Sequence, residues 1–272
     1  GRFGGGLLTH ASDLDIIYLF TGTHEGESEG DRPLGATLYF NRLAQRVTAA
    51  LSVPTAQGAL YEVDTRLRPQ GNQGPLADSV ERFARYQRED AWTWEHMALT
   101  RARVLVGSEA ARSEVGDVVT SILCRERDLD GLRADVLKMR SEMAAHKQSK
   151  GPLDAKLLRG GLVDVEFLVH FLQLRHRAAL TPNLGGAIAA LVEAGHLPAA
   201  IEGAHGLMTR LLVGTRLLAP DLTRPNAAAA SLLARQSGCE DYTCLMERLR
   251  AARDDVAAAW QDNFGETLEM DE

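Results

Sequence analysis

Asp13 and Asp15 lie two residues apart in the run SDLDIIYLF, shortly after a glycine-rich opening, GRFGGG. Side chains alternate along a β-strand, so residues two apart project from one face, and both carboxylates can hold divalent metal at one place. Glycines let a backbone approach phosphate closely, and the amides of such a turn make a concave anion site. Metal-binding acids beside an anion-binding turn form the layout that nucleotidyl transfer requires. Ile16, Ile17, Leu19 and Phe20 continue the run almost without polar interruption, which predicts a strand buried on both faces. Carboxylates leading into such a strand must meet a cation or hydrogen-bond donors.

Two-metal phosphoryl transfer calls for a further ligand on a neighbouring strand, and Asp64 in LYEVDTRL supplies it. Tyr61, Val63, Thr65 and Leu67 share one parity, while Glu62, Asp64 and Arg66 share the other, giving that strand one polar face. Arg66 and Arg68 then precede a turn-rich stretch with Pro69, Gly71 and Gly74. Two arginines beside three acids can be ion-pair partners or clamps on a triphosphate, and a loop at a strand end favours the clamp.

The elements that must position these residues follow from periodicity. Strand-like segments at 13–20 and 59–67 flank a helical pattern from Leu34 to Leu51, in which Leu38, Leu43, Val47 and Leu51 recur at helical spacing. The intervening THEGESEGDRP is acidic and glycine-rich, and reads as a solvated loop. Beyond Gly107 the pattern becomes helical, with helices expected at 108–124, 129–147, 162–178, 184–195, 198–218, 226–236 and 241–263. The predicted class is α+β: a nucleotidyltransferase domain with a mixed sheet over 1–106, followed by an all-helical bundle over 107–272.

Composition narrows the function. The 272 residues carry a formal charge of −7 with no basic tail, which disfavours a nucleic-acid substrate. Cys124, Cys239 and Cys244 have no zinc-type spacing with histidine, so a reducing, cytoplasmic setting is expected. No apolar run approaches the ~20 residues needed to span a bilayer. The chain opens inside its own motif without methionine, and a fragment of a longer protein is expected.

Two further segments carry polar residues in apolar surroundings. In GGLVDVEFLVHFLQLRH, Glu166, His170, Gln173 and Arg177 step down one face of a helix otherwise suited to burial, with Asp164 in its first turn. Those acids either favour the helix dipole or face a cleft, where Asp164 or Glu166 would position metal, water or a nucleophile. The segment EDAWTWEHMALTRARVLVG bridges the two parts; Trp92, Trp94 and Met97 read as packing residues, and Arg101 and Arg103 as cleft candidates.

Taken together, GRFGGGLLTHASDLDIIYLF, YEVDTRLRPQGNQGPL, YQREDAWTWEHMALTRARV and GGLVDVEFLVHFLQLRH, in this order and spacing, resemble bacterial glutamine synthetase adenylyltransferase, the bifunctional adenylyltransferase/adenylyl-removing family. The resemblance covers most of residues 1–178, and the wording YEVDTRLRP with AWTWEHMALTRAR is closer to the C-terminal, adenylylating half. It implies a polymerase-beta-like nucleotidyltransferase fold, ATP as substrate, two Mg²⁺ ions, glutamine synthetase as protein substrate, and glutamine and a PII-type signal protein as regulators. Carried over by position, the metal-binding catalytic acids are Asp13, Asp15 and Asp64. The nucleotide-binding set is Gly4, Gly5, Ser12, Arg66 and Arg68, and the helical Asp-x-Glu falls on Asp164 and Glu166. Arg2 stands where the family often has lysine. Three alternatives stay open: the phosphorolytic adenylyl-removing half, a nucleotidyltransferase with another acceptor, and a non-catalytic module binding glutamine synthetase or the PII-type protein.

Overall fold

The computed structural model describes residues 2–22, 25–59 and 61–270. Gly1 of the glycine-rich opening, Thr23 and His24 of the acidic loop, Leu60 at the start of the expected second strand, and the last two residues lie outside the described residues. The chain divides into two compact units, Gly1–Arg125 and Glu126–Glu272.

The first unit is α+β. Its first strand segment is split into β1 (Leu14–Asp15) and β2 (Tyr18–Phe20), and the chain then crosses through α1 (Ala36–Ser52) to β3 (Val63–Asp64) and β4 (Ala77–Ser79). A helical crossover returns the chain to the same end of the sheet, so the later strands run parallel to the earlier ones. β1 pairs with β3 and β2 with β4, both in parallel, where the sequence led to a mixed sheet. The expected continuous strands are therefore shorter and interrupted. Of the apolar run after Asp15, only Phe20 is buried, whereas Ile16, Ile17 and Leu19 are half-buried, because the small sheets leave much of their surface uncovered.

Phe20, Ala44 and Ala77 form the core between α1 and the β2–β4 pair, with Tyr18, Ala36, Phe40 and Leu76 against it. Asn41 fastens this arrangement: its Oδ1 accepts from the Leu76 amide at 2.6 Å, and its Nδ2 donates to the Thr37 carbonyl at 2.7 Å. The residues that revealed α1 in the sequence are not the ones it buries. Leu38, Leu43, Val47 and Leu51 are all exposed.

Ser79 caps α2 (Val80–Glu89) by accepting from the Arg82 amide, and α3 (Thr93–Leu99) and α4 (Glu109–Leu123) complete the unit. The helix expected to open the bundle is α4, and it packs on α2 and α3, so the division falls after Arg125 rather than after residue 106. Met97 is buried as expected, but Trp92 and Trp94 are exposed.

The second unit is wholly helical: α5 (Leu129–His146), α6 (Leu162–His176), α7 (Leu184–Glu193), α8 (Ala200–Leu218), α9 (Ala227–Gln236) and α10 (Tyr242–Phe264). The side chains of Asp128, Asn183, Asn226 and Asp241 cap the starts of four of these helices by accepting from first-turn backbone amides. α6, apolar around most of its circumference, lies at the centre and packs on α5, α7, α8 and α10. Gly160 allows the entry turn: its φ is +73°, and a Cβ there would lie 2.5 Å from the Arg253 carbonyl oxygen of α10.

Candidate metal and nucleotide site

Asp13, Asp15 and Asp64 each present a ligand atom, and these atoms all lie within 4.8 Å of one another. The convergence follows from strand register. Asp15 and Asp64 are direct partners across the β1–β3 pair, and Asp13 stands two residues before Asp15, on the same face. Like charges placed opposite each other repel, so this register is stable only with a counter-charge.

Arg66 supplies one. Its amide donates to Asp64 Oδ1 at 2.8 Å, its Nε reaches the two carboxylate oxygens at 3.0 and 2.9 Å, and its Nη2 binds Oδ2 as well. The side-chain bond from Arg66 holds the Asp64 carboxyl below the ordinary carboxylate value, against the opposing effect of burial. The guanidinium is itself raised, chiefly by its hydrogen bond to Asp64, with Asp13 and Asp15 adding to the field. An internal cation thus already stands against the acids. It is a weakly held one, since the Arg66 side chain is 72% exposed and solvent screens such a pair.

The donor set fits a hard divalent cation. Three carboxylates converge on one place, and oxygen ligands of this kind suit Mg²⁺. Among the described residues, no other group of three or more His, Cys, Asp or Glu side chains converges in this way.

Arg68 is placed differently. Its Nη1 donates to the Thr65 carbonyl at 2.7 Å and to Thr65 Oγ1 at 2.9 Å, and its Nε reaches the Gly74 carbonyl at 3.4 Å. The side chain therefore closes the loop after β3. Gly74 is required in that loop, because a Cβ would sit 2.2 Å from the Pro69 carbonyl oxygen.

Sequence reasoning missed the network behind this loop. The Tyr86 hydroxyl donates to Glu95 Oε1 at 3.1 Å and lies near the backbone of Gln70, which is in the left-handed region at φ 60°. Glu95 also accepts from the Trp92 amide at 2.9 Å. Burial pushes the Glu95 carboxyl up, with the bonds from Trp92 and Tyr86 opposing it. The available signal was Glu95 itself, an acid three residues after the start of a short helix, where a carboxylate meets the free amide of the cap.

The glycine-rich opening forms a tight turn, with Gly6 N–H on the Phe3 carbonyl at 3.1 Å and Leu7 N–H on the Arg2 carbonyl at 2.9 Å. Gly5 is buried in it and Gly4 half-buried. Arg103 reaches this turn from 100 residues away, donating to the Phe3 carbonyl at 3.1 Å with its guanidinium 5.9 Å above the Phe3 ring. Arg101 is half-buried nearby in sequence. Ser12 is buried, and its Oγ accepts from the Thr9 amide at 3.1 Å and lies 3.0 Å from Thr9 Oγ1.

Asp164 and Glu166 belong to the second unit. Asp164 is fully buried, with its carboxylate paired to Arg140 and accepting from the Gly160 amide at 2.8 Å. Glu166 is half-buried. Two members of the polar stripe below it are internal: His170 Nδ1 lies 3.0 Å from Gln173 Oε1, and Gln173 Nε2 donates to the Ala179 carbonyl at 2.7 Å. That pair ties the chain leaving α6 back onto the helix.

Residues 1–117 match the family model described as glutamate-ammonia ligase adenylyltransferase. Similar curated proteins carry the name bifunctional glutamine synthetase adenylyltransferase/adenylyl-removing enzyme. The Brucella suis protein is 41% identical over 251 residues, covering 89% of this chain and 26% of its own length. The Agrobacterium fabrum protein is 40% identical over 258 residues, covering 90% of this chain and 26% of its own length. The Rhodopseudomonas palustris protein is 37% identical over 277 residues, covering 97% and 28%. The chain thus spans about a quarter of the length of these relatives. At 41% identity over 89% of its length and 40% over 90% to two of these relatives, the chain belongs to the glutamate-ammonia ligase adenylyltransferase family.

Proposed function

We propose that this chain transfers AMP from ATP to a tyrosine of glutamine synthetase, as the adenylylating half of the family's bifunctional enzyme and on a polymerase-beta-like scaffold. The observation that supports this most directly is the convergence of Asp13, Asp15 and Asp64 within 4.8 Å from two strands paired in parallel. Asp13, Asp15 and Asp64 would hold two Mg²⁺ ions, whose chemistry when bound is to neutralise triphosphate charge and acidify the attacking hydroxyl. Gly4 and Gly5 would let the backbone turn approach phosphate closely, and Arg66 would bring an exposed positive charge toward the leaving group. Arg68 holds the loop that carries Arg66. The phenolic oxygen bonds to the α-phosphorus as the bond from that phosphorus to the β-bridging oxygen breaks. Pyrophosphate leaves with the bonding pair, and the phenolic proton passes to solvent.

Within this reading, Arg103 steadies the glycine turn, Arg101 lies beside Arg103 in sequence as a further cleft residue, and Asp164 and Glu166 serve through the helix they begin. Glutamine and a PII-type signal protein would regulate the reaction in the cytoplasm through surfaces that no residue here identifies. Among the described residues, no helix is long and apolar enough to cross a membrane.

The test is intact-mass measurement of glutamine synthetase after incubation with the chain, ATP and Mg²⁺. A gain of one AMP per subunit is expected. Loss of AMP from pre-modified glutamine synthetase with inorganic phosphate, and no gain with ATP, would instead assign the removing half. Asp13→Asn or Asp15→Asn is expected to lower transfer at least ~10²-fold with an unchanged circular dichroism spectrum; activity within about threefold of the parent would remove the acids from the reaction.

A further inference from the structure

We propose that Cys239 and Cys244 form a dithiol site that closes to an intramolecular disulfide by exchange with the disulfide of a small thiol. The two residues lie where α9 gives way to α10, and hydrogen bonds fix the backbone on each side. The Cys239 amide donates to the Ala234 carbonyl at 2.9 Å, and the Cys244 amide donates to Asp241 Oδ1 at 2.8 Å. Gly238, at φ +78°, turns the chain so that Cys239 folds back toward the first turn of α10. Cys244 stands one turn before Arg248 on α10, which places its side chain beside the Cys239 thiol that Arg248 reaches. Arg248, one turn further along α10, donates to the Gly238 carbonyl at 2.7 Å, and the same Nη1 lies 3.5 Å from Cys239 Sγ.

This arrangement gives the two sulfurs different parts. Cys244 is half-exposed and Cys239 is buried, so a small disulfide reaches Cys244 first. Burial and the neighbouring Cys244 push the Cys239 thiol up, while Arg248 favours its anion. The Cys244 thiolate attacks one sulfur of the small disulfide and expels one thiolate, leaving a mixed disulfide on Cys244. Cys239, giving up its proton beside Arg248, then attacks Cys244 Sγ and expels the second thiolate. One protein dithiol is oxidised and one small disulfide is reduced to two thiols, so the electrons balance. The short sequence separation makes the closed loop small, and the buried partner is already held beside the entering one.

The test uses the whole chain with oxidised glutathione, followed by alkylation, trypsin digestion and peptide mass. Residues 236–248 contain both cysteines and have no internal Lys or Arg, so they form a single tryptic peptide, while Cys124 lies elsewhere and serves as an internal reference. The expected result is a 236–248 peptide lighter by two hydrogens, restored by a dithiol reductant, and formed at least about tenfold faster than in the same synthetic peptide free in solution. Cys239→Ser should instead accumulate a stable glutathione adduct on Cys244. Equal rates in the chain and the free peptide, or persistent glutathione adducts on the unsubstituted chain, would overturn the proposal. This outcome is independent of any transfer activity.

Discussion

Arg66 connects the charge of the acidic cluster to its proposed chemistry. Its guanidinium binds Asp64 and feels Asp13 and Asp15, so a divalent cation entering the cluster must displace it or share the same carboxylate. Arg66→Ala should therefore strengthen binding of Mg²⁺ alone, by about two- to fivefold given the modest worth of an exposed ion pair. The same substitution should weaken ATP binding, since the cation that displaced Arg66 would otherwise leave it facing phosphate. Calorimetric titrations of parent and variant, with and without a non-hydrolysable ATP analogue, separate the two effects. Unchanged Mg²⁺ binding would place Arg66 clear of the cation's position. Asp164 presents the opposite case at the same scale. In sequence it reads either as an acid favouring the helix dipole or as a cleft acid, yet its carboxylate lies on Arg140 and the Gly160 amide in a fully buried place. Its partner is 24 residues upstream on another helix, so no local pattern could reveal the pairing.

Helix α1 separates what a sequence pattern detects from what packing uses. The four-residue recurrence of Leu43, Val47 and Leu51 announces a helix, yet Leu43 is 46% exposed, and the buried contacts come from Phe40, Ala44 and Asn41 on the adjoining stripe. Phe40 stacks on Phe20 with ring centroids 4.5 Å apart and planes 7° from parallel. Phe40→Ala should accordingly cost about 2–4 kcal/mol, whereas Leu43→Ser should change stability by less than about 0.5 kcal/mol. Urea unfolding followed by circular dichroism measures both, and comparable losses would mean that the apolar stripe is covered. The helices of the second unit were legible almost end to end, because caps such as Asp128, Asn183 and Asp241 are local signals. β4 and α2 were not anticipated: Ala77–Ser79 is too short to show alternation, and it becomes a strand only by pairing with Tyr18–Phe20. The acidic triad was legible because parity along each strand predicts the face, while the partner register that brings Asp15 to Asp64 exists only in the folded chain.

Across the whole molecule, chemistry of different kinds is assigned to different units, and pH gives a way to address one of them. The triad and the loop closed by Arg68 lie in the first unit, whereas the stacked rings of His176 and His196 lie in the second, with centroids 3.7 Å apart and planes 9° from parallel. Burial lowers the His176 value from 6.5, and the neighbouring His196 and Arg175 lower it further. The folded chain therefore keeps this imidazole neutral at a pH where the unfolded chain has already taken up a proton. Protons bound in excess by the unfolded state make stability rise with pH, so the contribution is complete above 6.5 and is lost as pH falls through the lower folded value. Substituting His176→Asn removes the titrating group while keeping a polar side chain in the last turn of α6. The parent should lose thermal stability on acidification below 6.5 more steeply than the variant, with the two curves parallel above it. Melting followed by circular dichroism across that range reads the difference directly, because carboxylates common to both proteins cancel. A parent that gained stability on acidification relative to the variant would mean that the fold receives the charged ring, and that the stacking with His196 survives protonation.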